Sequence, residues 1–201
     1  MKKFLTLAVA ALAVLGLAAP AFAVGTPQPG DLGVFFDAAG TAMARVGVAP
    51  FVPFNMYVVS FEVPGGMEAY EFSVTVPAGA IFTGSPSRLL PAGATDFGVG
   101  DDNFIVGTGG VCQVTAGAFA LVVYQGMMFL AAPAGNSQVC MAGATPSSFP
   151  NGLPGYLVCN SPGNLRNFGA AYTGCAVINP TSGEGPIPTD AQTWGSVKAS
   201  F

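Results

Sequence analysis

Catalysis needs a positioned acid, base or nucleophile, and this sequence offers few such groups. It contains no histidine, which removes serine–histidine and cysteine–histidine nucleophiles and most zinc hydrolases. A serine–lysine pair would have to use Lys198. The remaining enzymatic hypothesis is a glycosidase that uses two carboxylates. Its candidate residues are Glu62, Glu68, Glu71, Asp101 and Asp102.

The pattern around Glu71 favours a solvated surface over a catalytic pair. Tyr70 and Phe72 alternate with Glu71, so the carboxylate is predicted to face solvent on a half-buried strand. We therefore expect a non-enzymatic protein without a cofactor.

One polar run could bind a metal. Asp101, Asp102 and Asn103 could supply oxygen ligands to Ca²⁺, which takes six to eight of them. The run lacks the regular acidic spacing of an EF-hand loop, and a solvated turn is the alternative interpretation.

The cysteines are Cys112, Cys140, Cys159 and Cys175. A zinc site would need CxxC spacing or histidine, and the sequence has neither. An even number of cysteines in an exported chain indicates disulfides, and four cysteines allow three pairings. We favour Cys112–Cys140 with Cys159–Cys175, because these bonds need the least long-range rearrangement. The sequence leaves the other pairings open.

The chain begins like an exported protein. Lys2 and Lys3 precede an apolar run over residues 4–19, and Ala21-Phe22-Ala23 places small residues at a cleavage site. This pattern predicts a secretory signal peptide over residues 1–23. A membrane anchor is the alternative, but the run is short for a span and Pro20 follows it. We expect a secreted or extracellular protein, with the periplasm or cell surface as possible sites.

Charge and hydropathy restrict the partners. Cleavage after residue 23 would leave four cations and ten carboxylates, a net charge of −6. Nucleic acid and anionic membranes are poor partners for so few cations. The longest mature apolar run, residues 118–133, is too short to span a bilayer, and Gln125-Gly126 interrupts it. It is interpreted as two buried strands. Protein, glycan or self-association remain as partners.

Alternating apolar residues predict strands over residues 54–63 and 70–76, joined at Pro64-Gly65-Gly66 as an antiparallel pair. Shorter strands are predicted at residues 33–37, 41–48, 80–83, 104–107 and 138–142. The strand at 41–48 should pair with the strand at 33–37. Frequent turns make a two-sheet antiparallel sandwich the expected all-β architecture.

The domain is expected to cover residues 24–188, including an irregular, disulfide-stapled region at 143–188. Residues 189–201 are predicted to form a short helix or tail. Trp194, Val197 and Phe201 would lie on one apolar stripe. This stripe is interpreted as docking onto the sandwich, or alternatively as a segment that a partner or the export machinery recognises.

Two segments carry a family resemblance. Residues 66–76 (GMEAYEFSVTV) are similar to a strand of cohesin-like secreted bacterial sandwiches. Residues 103–107 followed by 116–123 (AGAFALVV) resemble a later part of that pattern. The likeness covers residues 54–131 and implies a cohesin-like or jelly-roll sandwich. The Tyr-Asp-Pro of the pattern is replaced by Val76-Pro77-Ala78, so dockerin recognition carries over less well.

The terminal segments GDLGVFFDAAGT and TWGSVKASF resemble those of exported bacterial proteins. The sequence therefore predicts an exported, non-enzymatic sandwich that acts in adhesion, binding or surface assembly. One alternative is a self-associating subunit of an extracellular layer or fibre. The other is the carboxylate-dependent glycosidase.

Overall fold

The computed structural model describes residues 26–77, 79–83, 86–129, 137–171 and 174–180. The predicted signal peptide and C-terminal helix lie outside these residues. The described part of the chain is all-β and has no helix. Among these residues, none belongs to a helix long and apolar enough to cross a membrane.

Fourteen strands occur among the described residues. They are β1 Asp31–Phe35, β2 Ala44–Arg45, β3 Phe54–Phe61, β4 Met67–Thr75, β5 Ala80–Phe82, β6 Ser87–Arg88, β7 Thr95–Asp96, β8 Asn103–Gly107, β9 Ala118–Met128, β10 Ser137–Ala142, β11 Gly155–Val158, β12 Leu165–Asn167, β13 Gly169–Ala170 and β14 Cys175–Ile178.

The strands form two mixed sheets. The first has the order β13-β1-β3-β9-β5, with β6 also paired to β9. The second has the order β12-β11-β4-β10-β14-β2, with β8 on the other side of β4 and β7 on β8. Two edge pairs, β1–β13 and β14–β2, are parallel. The prediction of purely antiparallel sheets was therefore wrong at these edges, where long connections bring strands back in the same direction.

One hydrophobic core contains residues from both sheets. Met56 of β3 and Phe72 of β4 are almost fully buried in it. Phe104 of β8 meets Tyr124 of β9 edge to face, with the ring centroids 5.9 Å apart. The opposite face of the first sheet carries a smaller cluster of Phe35, Met43, Val59 and Ala171. The middle of β3, residues 58–60, is thus buried on both faces.

The strands over residues 54–76 are confirmed, but their pairing was wrong. β3 belongs to the first sheet and β4 to the second, so the Pro64-Gly65-Gly66 connection crosses between sheets. The residues that flank this connection hydrogen-bond to residues 113–117: Val63 N–H donates to Thr115 Oγ1 and Met67 N–H donates to the Gln113 carbonyl. Because both strands are rich in apolar residues, each could be buried in a different sheet.

Two other segments differ from expectation. The strand predicted over residues 41–48 is only the two-residue β2, which pairs with β14 instead of β1. The two strands predicted over residues 118–133 are replaced, in the described part, by the single strand β9, which runs through Gly126. A Cβ at Gly126 would lie about 3 Å from Met56 and Phe54, so glycine there permits close packing.

The region predicted as irregular, residues 143–188, contributes β11, β12, β13 and β14 to the two sheets. These strands are two to four residues long, too short to show a clear alternation in sequence. The strands predicted at residues 80–83, 104–107 and 138–142 are confirmed as β5, β8 and β10.

The cysteines form two disulfides, but not the favoured pairs. The bonds are Cys112–Cys159 and Cys140–Cys175. Cys140 and Cys175 lie directly opposite each other in the β10–β14 pair. Cys112 and Cys159 flank the start of β4, where Met67 pairs with both Gln113 and Val158. Pairing by nearness in sequence failed because neighbours in these sheets are distant along the chain.

Asp37 closes the turn that follows β1. Its carboxylate accepts hydrogen bonds from Thr41 N–H at 2.8 Å, from Ala42 N–H at 3.2 Å and from the Thr41 hydroxyl. Partial burial raises the pKa of Asp37, but these hydrogen bonds, together with Gly40 N–H, outweigh it and lower the pKa below its ordinary value. The turn therefore favours the charged form of Asp37.

We expect Asp37→Asn to lower the free energy of unfolding at pH 7 by less than about 1 kcal/mol, because solvent screens this turn. Because the pKa of Asp37 is lower in the folded state than its unfolded value of about 3.9, ionised Asp37 stabilises the protein at pH values above that unfolded value. This stabilisation is lost as the pH falls through the folded-state pKa. Urea unfolding of wild type and variant at pH 7 and pH 3 should show the difference shrinking at low pH. Asp101→Asn is the control, and an equal effect in both variants would contradict the prediction.

Arg88 and Asp96 connect the two sheets at their edges. Arg88 of β6 donates from Nε to Asp96 Oδ2 of β7, and from Nη2 to the Gly100 carbonyl at 3.2 Å. Its guanidinium lies 5.0 Å from the centroid of the Phe104 ring. Asp96 Oδ1 also accepts from the N–H groups of Gly98 and Ile105. The Asp96 side chain is only 8% exposed, so these partners take the place of water around its oxygen atoms.

We expect Arg88→Gln to lower the free energy of unfolding by about 1–2 kcal/mol, because it leaves a largely buried carboxylate without its cation. The matched control is Arg166→Gln, since Arg166 is exposed on β12 and should tolerate the change. Urea unfolding at pH 7 measures both. Equal stability of the two variants would show that the Arg88–Asp96 pair does not join the sheets.

Candidate functional site

Glu71 is the acidic side chain whose position departs most from expectation. It points away from the shared core, as the alternation predicts, yet only 2% of it is exposed. The prediction of a solvated carboxylate was wrong because residues 143–154, which connect β10 to β11, fold over this outer face. We call residues 143–154 the anchored loop.

The Glu71 carboxylate holds the anchored loop through several hydrogen bonds. Ser148 N–H donates to both carboxylate oxygens, at 3.0 and 2.9 Å. The Ser147 hydroxyl and Phe149 N–H donate to Oε1. An ionised carboxylate only accepts hydrogen bonds, so it suits a loop that turns consecutive N–H groups toward one point.

Two polar side chains beside Glu71 hold the start of the anchored loop. Ser73 Oγ donates to the Gly143 carbonyl at 2.8 Å. Asn103 Nδ2 donates to the Thr145 carbonyl at 2.8 Å, and Thr145 N–H donates to Asn103 Oδ1 at 2.9 Å. Ser73 and Asn103 are cross-strand neighbours in the β4–β8 pair. One patch of β4 and β8 therefore fixes the loop from residue 143 to residue 149.

Gly155 makes room for the middle of the anchored loop. It lies between Glu71 of β4 and Asn167 of β12 in the register of three neighbouring strands. A Cβ at Gly155 would collide with the Phe149 ring. The ring therefore occupies the place of the missing side chain and covers the sheet between Glu71 and Asn167.

A depression of about 460 Å³ opens beside this ring. Three of its lining residues come from the anchored loop and three from β12 and the turn before it: Phe149, Pro150, Asn151, Gly163, Leu165 and Asn167.

The lining of the depression is uncharged and mixes apolar with carboxamide side chains. Leu165 is 43% exposed, whereas Phe149 is 7% exposed. The carboxamides of Asn151 and Asn167 can both donate and accept hydrogen bonds; Asn151 Oδ1 already accepts from Leu153 N–H. Such a surface can bind sugar hydroxyls or peptide groups. Its lining, as far as the described residues form it, presents no acid or base to a ligand.

One of the three predicted calcium ligands is already engaged in hydrogen bonds within the protein. Asn103 is 6% exposed, and both ends of its carboxamide bond to Thr145. Asp101 and Asp102 are exposed in the loop before β8. The described residues contain no group of three or more acidic, cysteine or histidine side chains that could hold a metal. The calcium hypothesis is thus left with Asp101 and Asp102.

The glycosidase hypothesis loses one of its five candidate residues, Glu71. Both oxygens of Glu71 are occupied by the anchored loop, and the side chain is sealed from solvent. Glu68 Oε1 accepts from Asn160 N–H at 2.8 Å.

An exposed tyrosine ring could stack on a sugar, but two of the tyrosines are not available for this. Tyr124 and Tyr156 are buried, and burial raises the pKa of Tyr124 above its ordinary value. Tyr172, Trp194, Val197 and Phe201 lie outside the described residues.

Sequence reasoning missed the anchored loop and the depression. Ser147 and Ser148 are 76 and 77 residues from Glu71 along the chain, and no local pattern marks residues that meet at such separations. The only sequence signal was a glutamate flanked by apolar residues on a strand, which has the same appearance whether a loop covers it or not.

The fold and site define an all-β protein of two mixed sheets, two disulfides and an outer-face depression. Comparison with known proteins adds no family: the chain matches no family model, and neither a curated protein nor a solved structure is detectably similar to it.

Proposed function

We propose that the protein is an exported, non-enzymatic β-sandwich that binds a protein or glycan at the cell surface through the depression beside the anchored loop. The observation that carries this proposal is the loop's attachment. A buried carboxylate, a buried carboxamide and a serine hydroxyl hold residues 143–149 to the sheet. A surface held in one conformation loses less entropy when it binds a ligand.

Other features support the location and the class of activity. Two disulfides are typical of proteins in oxidising compartments, in agreement with the predicted signal peptide. The uncharged lining of the depression suits neutral sugars or peptide groups. The cohesin-like sandwich remains the architecture we propose, because the two sheets share one core.

The test is binding of the mature chain to a glycan array and to immobilised cell-surface protein. A specific signal should fall at least tenfold in Leu165→Ser and in Asn167→Ala. Leu89→Ser is the matched control, because Leu89 is 44% exposed against 43% for Leu165 and lies outside the depression. No signal above background, or equal loss in the control, would overturn the proposal.

Self-association is a second candidate, and the exposed apolar side chains favour it. Eleven large apolar residues of the described part are exposed, among them Val99 and Val114 at 77% and 79%. A weakly charged surface with exposed apolar groups resists association poorly. Size-exclusion chromatography and electron microscopy over a range of concentrations test this. A monomer at the highest concentration would contradict it.

A further inference from the structure

A second surface stands out at the end of the first sheet, away from the depression. It consists of Phe51, Val52 and Phe129, which we call the Phe51 patch. These side chains are 66%, 52% and 39% exposed. The rings of Phe51 and Phe129 lie 6.4 Å apart at their centroids, so the patch is a contiguous apolar surface.

The backbone conformation of Phe51 is strained. Its φ angle is +61°, a left-handed conformation that bulky residues rarely adopt. Phe51 N–H donates to the Met128 carbonyl at 2.8 Å, which fixes the ring beside Phe129 on the surface. Strained residues of this kind tend to occur where a protein binds something.

We propose that the Phe51 patch binds the chain's own C-terminal segment, residues 181–201. The last described residue before this segment is Pro180, which follows Asn179. Asn179 exchanges two side-chain hydrogen bonds with the backbone of Val48, at 2.9 and 2.7 Å, three residues before Phe51. The segment therefore starts two residues after a contact with the stretch that leads into the patch.

Length and composition of the segment fit this surface. The chain from Pro180 to Trp194 can span up to about 45 Å. Trp194, Val197 and Phe201 are the large apolar residues that follow this stretch. Burying them against exposed phenylalanine rings would remove apolar area of both from water.

A cation near the patch also favours binding of this segment. Arg45 is exposed beside Asn179, whose N–H donates to the Arg45 carbonyl. Its guanidinium lies 5.8 Å from the Phe54 ring centroid, and no carboxylate of the described residues forms an ion pair with it. Glu184 and Asp190 of the segment are carboxylates that could complement this cation.

The single tryptophan of the chain, Trp194, reports on the contact. In the full mature protein we expect its emission to be blue-shifted relative to the urea-unfolded protein, and protected from iodide quenching. Phe51→Gly removes the ring while glycine accepts the same φ angle, so the variant should fold. In this variant the emission maximum of Trp194 should shift most of the way to that of the unfolded protein, and iodide should quench the emission more strongly.

Phe97→Gly is the matched control, because Phe97 is 67% exposed and lies beside β8 of the other sheet. It should leave the emission unchanged. Unfolded-like emission in the wild type would overturn the proposal, as would an equal response of the two variants. A blue shift that grows with protein concentration would also overturn it, because the occupant would then be a second copy.

Discussion

Replacing both Cys112 and Cys159 with serine is expected to lower the free energy of unfolding by about 4 kcal/mol. The bond joins residues 47 positions apart, and the chain-entropy estimate for a loop of this length gives about that value. A loss of this size corresponds to a fall in Tm on the order of 10 °C for a domain of this length. It is the largest single effect that we expect in this protein.

The position of the bond gives a structural reason to expect the full effect. Cys112 and Cys159 meet above Gly66, where a Cβ would lie 2.7 and 2.8 Å from their sulfur atoms. Gly66 is the residue at which the chain enters β4. The bond therefore holds the chain at its crossing from the first sheet to the second.

Thermal and urea unfolding of the double variant measure the effect, and Ser161→Ala is a control for substitution in the same turn. A loss below about 1 kcal/mol would show that the unfolded chain gains little freedom from the missing bond.

The pairing itself is tested by fragmentation without reduction. Cyanogen bromide cuts after methionine, so Cys112, Cys140 and the pair Cys159 and Cys175 fall on three fragments: 68–127, 129–141 and 142–201. The pairing in the structure links all three. The pairing favoured from sequence would leave fragment 142–201 separate. Trypsin cleavage at Arg166 then separates Cys159 from Cys175 and identifies each partner.

The second large effect is expected at Glu71. Glu71→Ala should lower the free energy of unfolding by about 3 kcal/mol, because three donors of the anchored loop lose a charged acceptor beneath a covered surface. Glu71→Gln should cost about 1–2 kcal/mol. It keeps one acceptor oxygen but turns an NH₂ group toward Ser148 N–H.

Hydrogen exchange makes this prediction specific to the loop. The amides of Ser148 and Phe149 should lose protection in both Glu71 variants, whereas amides of β3 should keep it. Glu62→Ala is the control, because the Glu62 carboxylate accepts no hydrogen bond from the described residues. If Glu71→Ala is no more destabilising than Glu62→Ala, Glu71 does not anchor the loop.

The Glu71 variants also help to distinguish two ways in which ligand binding can be weakened. If the depression binds a ligand as proposed, Glu71→Gln should weaken binding at a temperature where the protein remains folded. Leu165→Ser should weaken binding without the change in amide protection. The two variants therefore distinguish loss of loop order from loss of contact.

The sequence alone determined the local features. Period-two alternation located β3 and β4, because successive side chains of a strand point to opposite faces. Short apolar segments between turns located β8 and β10. Glycine and proline marked the breaks between them. The even number of cysteines predicted disulfides. Each of these properties depends on neighbouring residues, and the chain displays it before it folds.

Tertiary structure decided which elements meet. β3 and β4 are adjacent in sequence yet lie in different sheets, and Cys112 bonds to Cys159 in preference to the nearer Cys140. Glu71 is buried only because a loop that starts 72 residues later covers it. Strand order, disulfide pairing and the covering of a polar face are contacts between distant residues. They are set by how the sheets bury their apolar faces together, and no local period in this sequence encodes that choice.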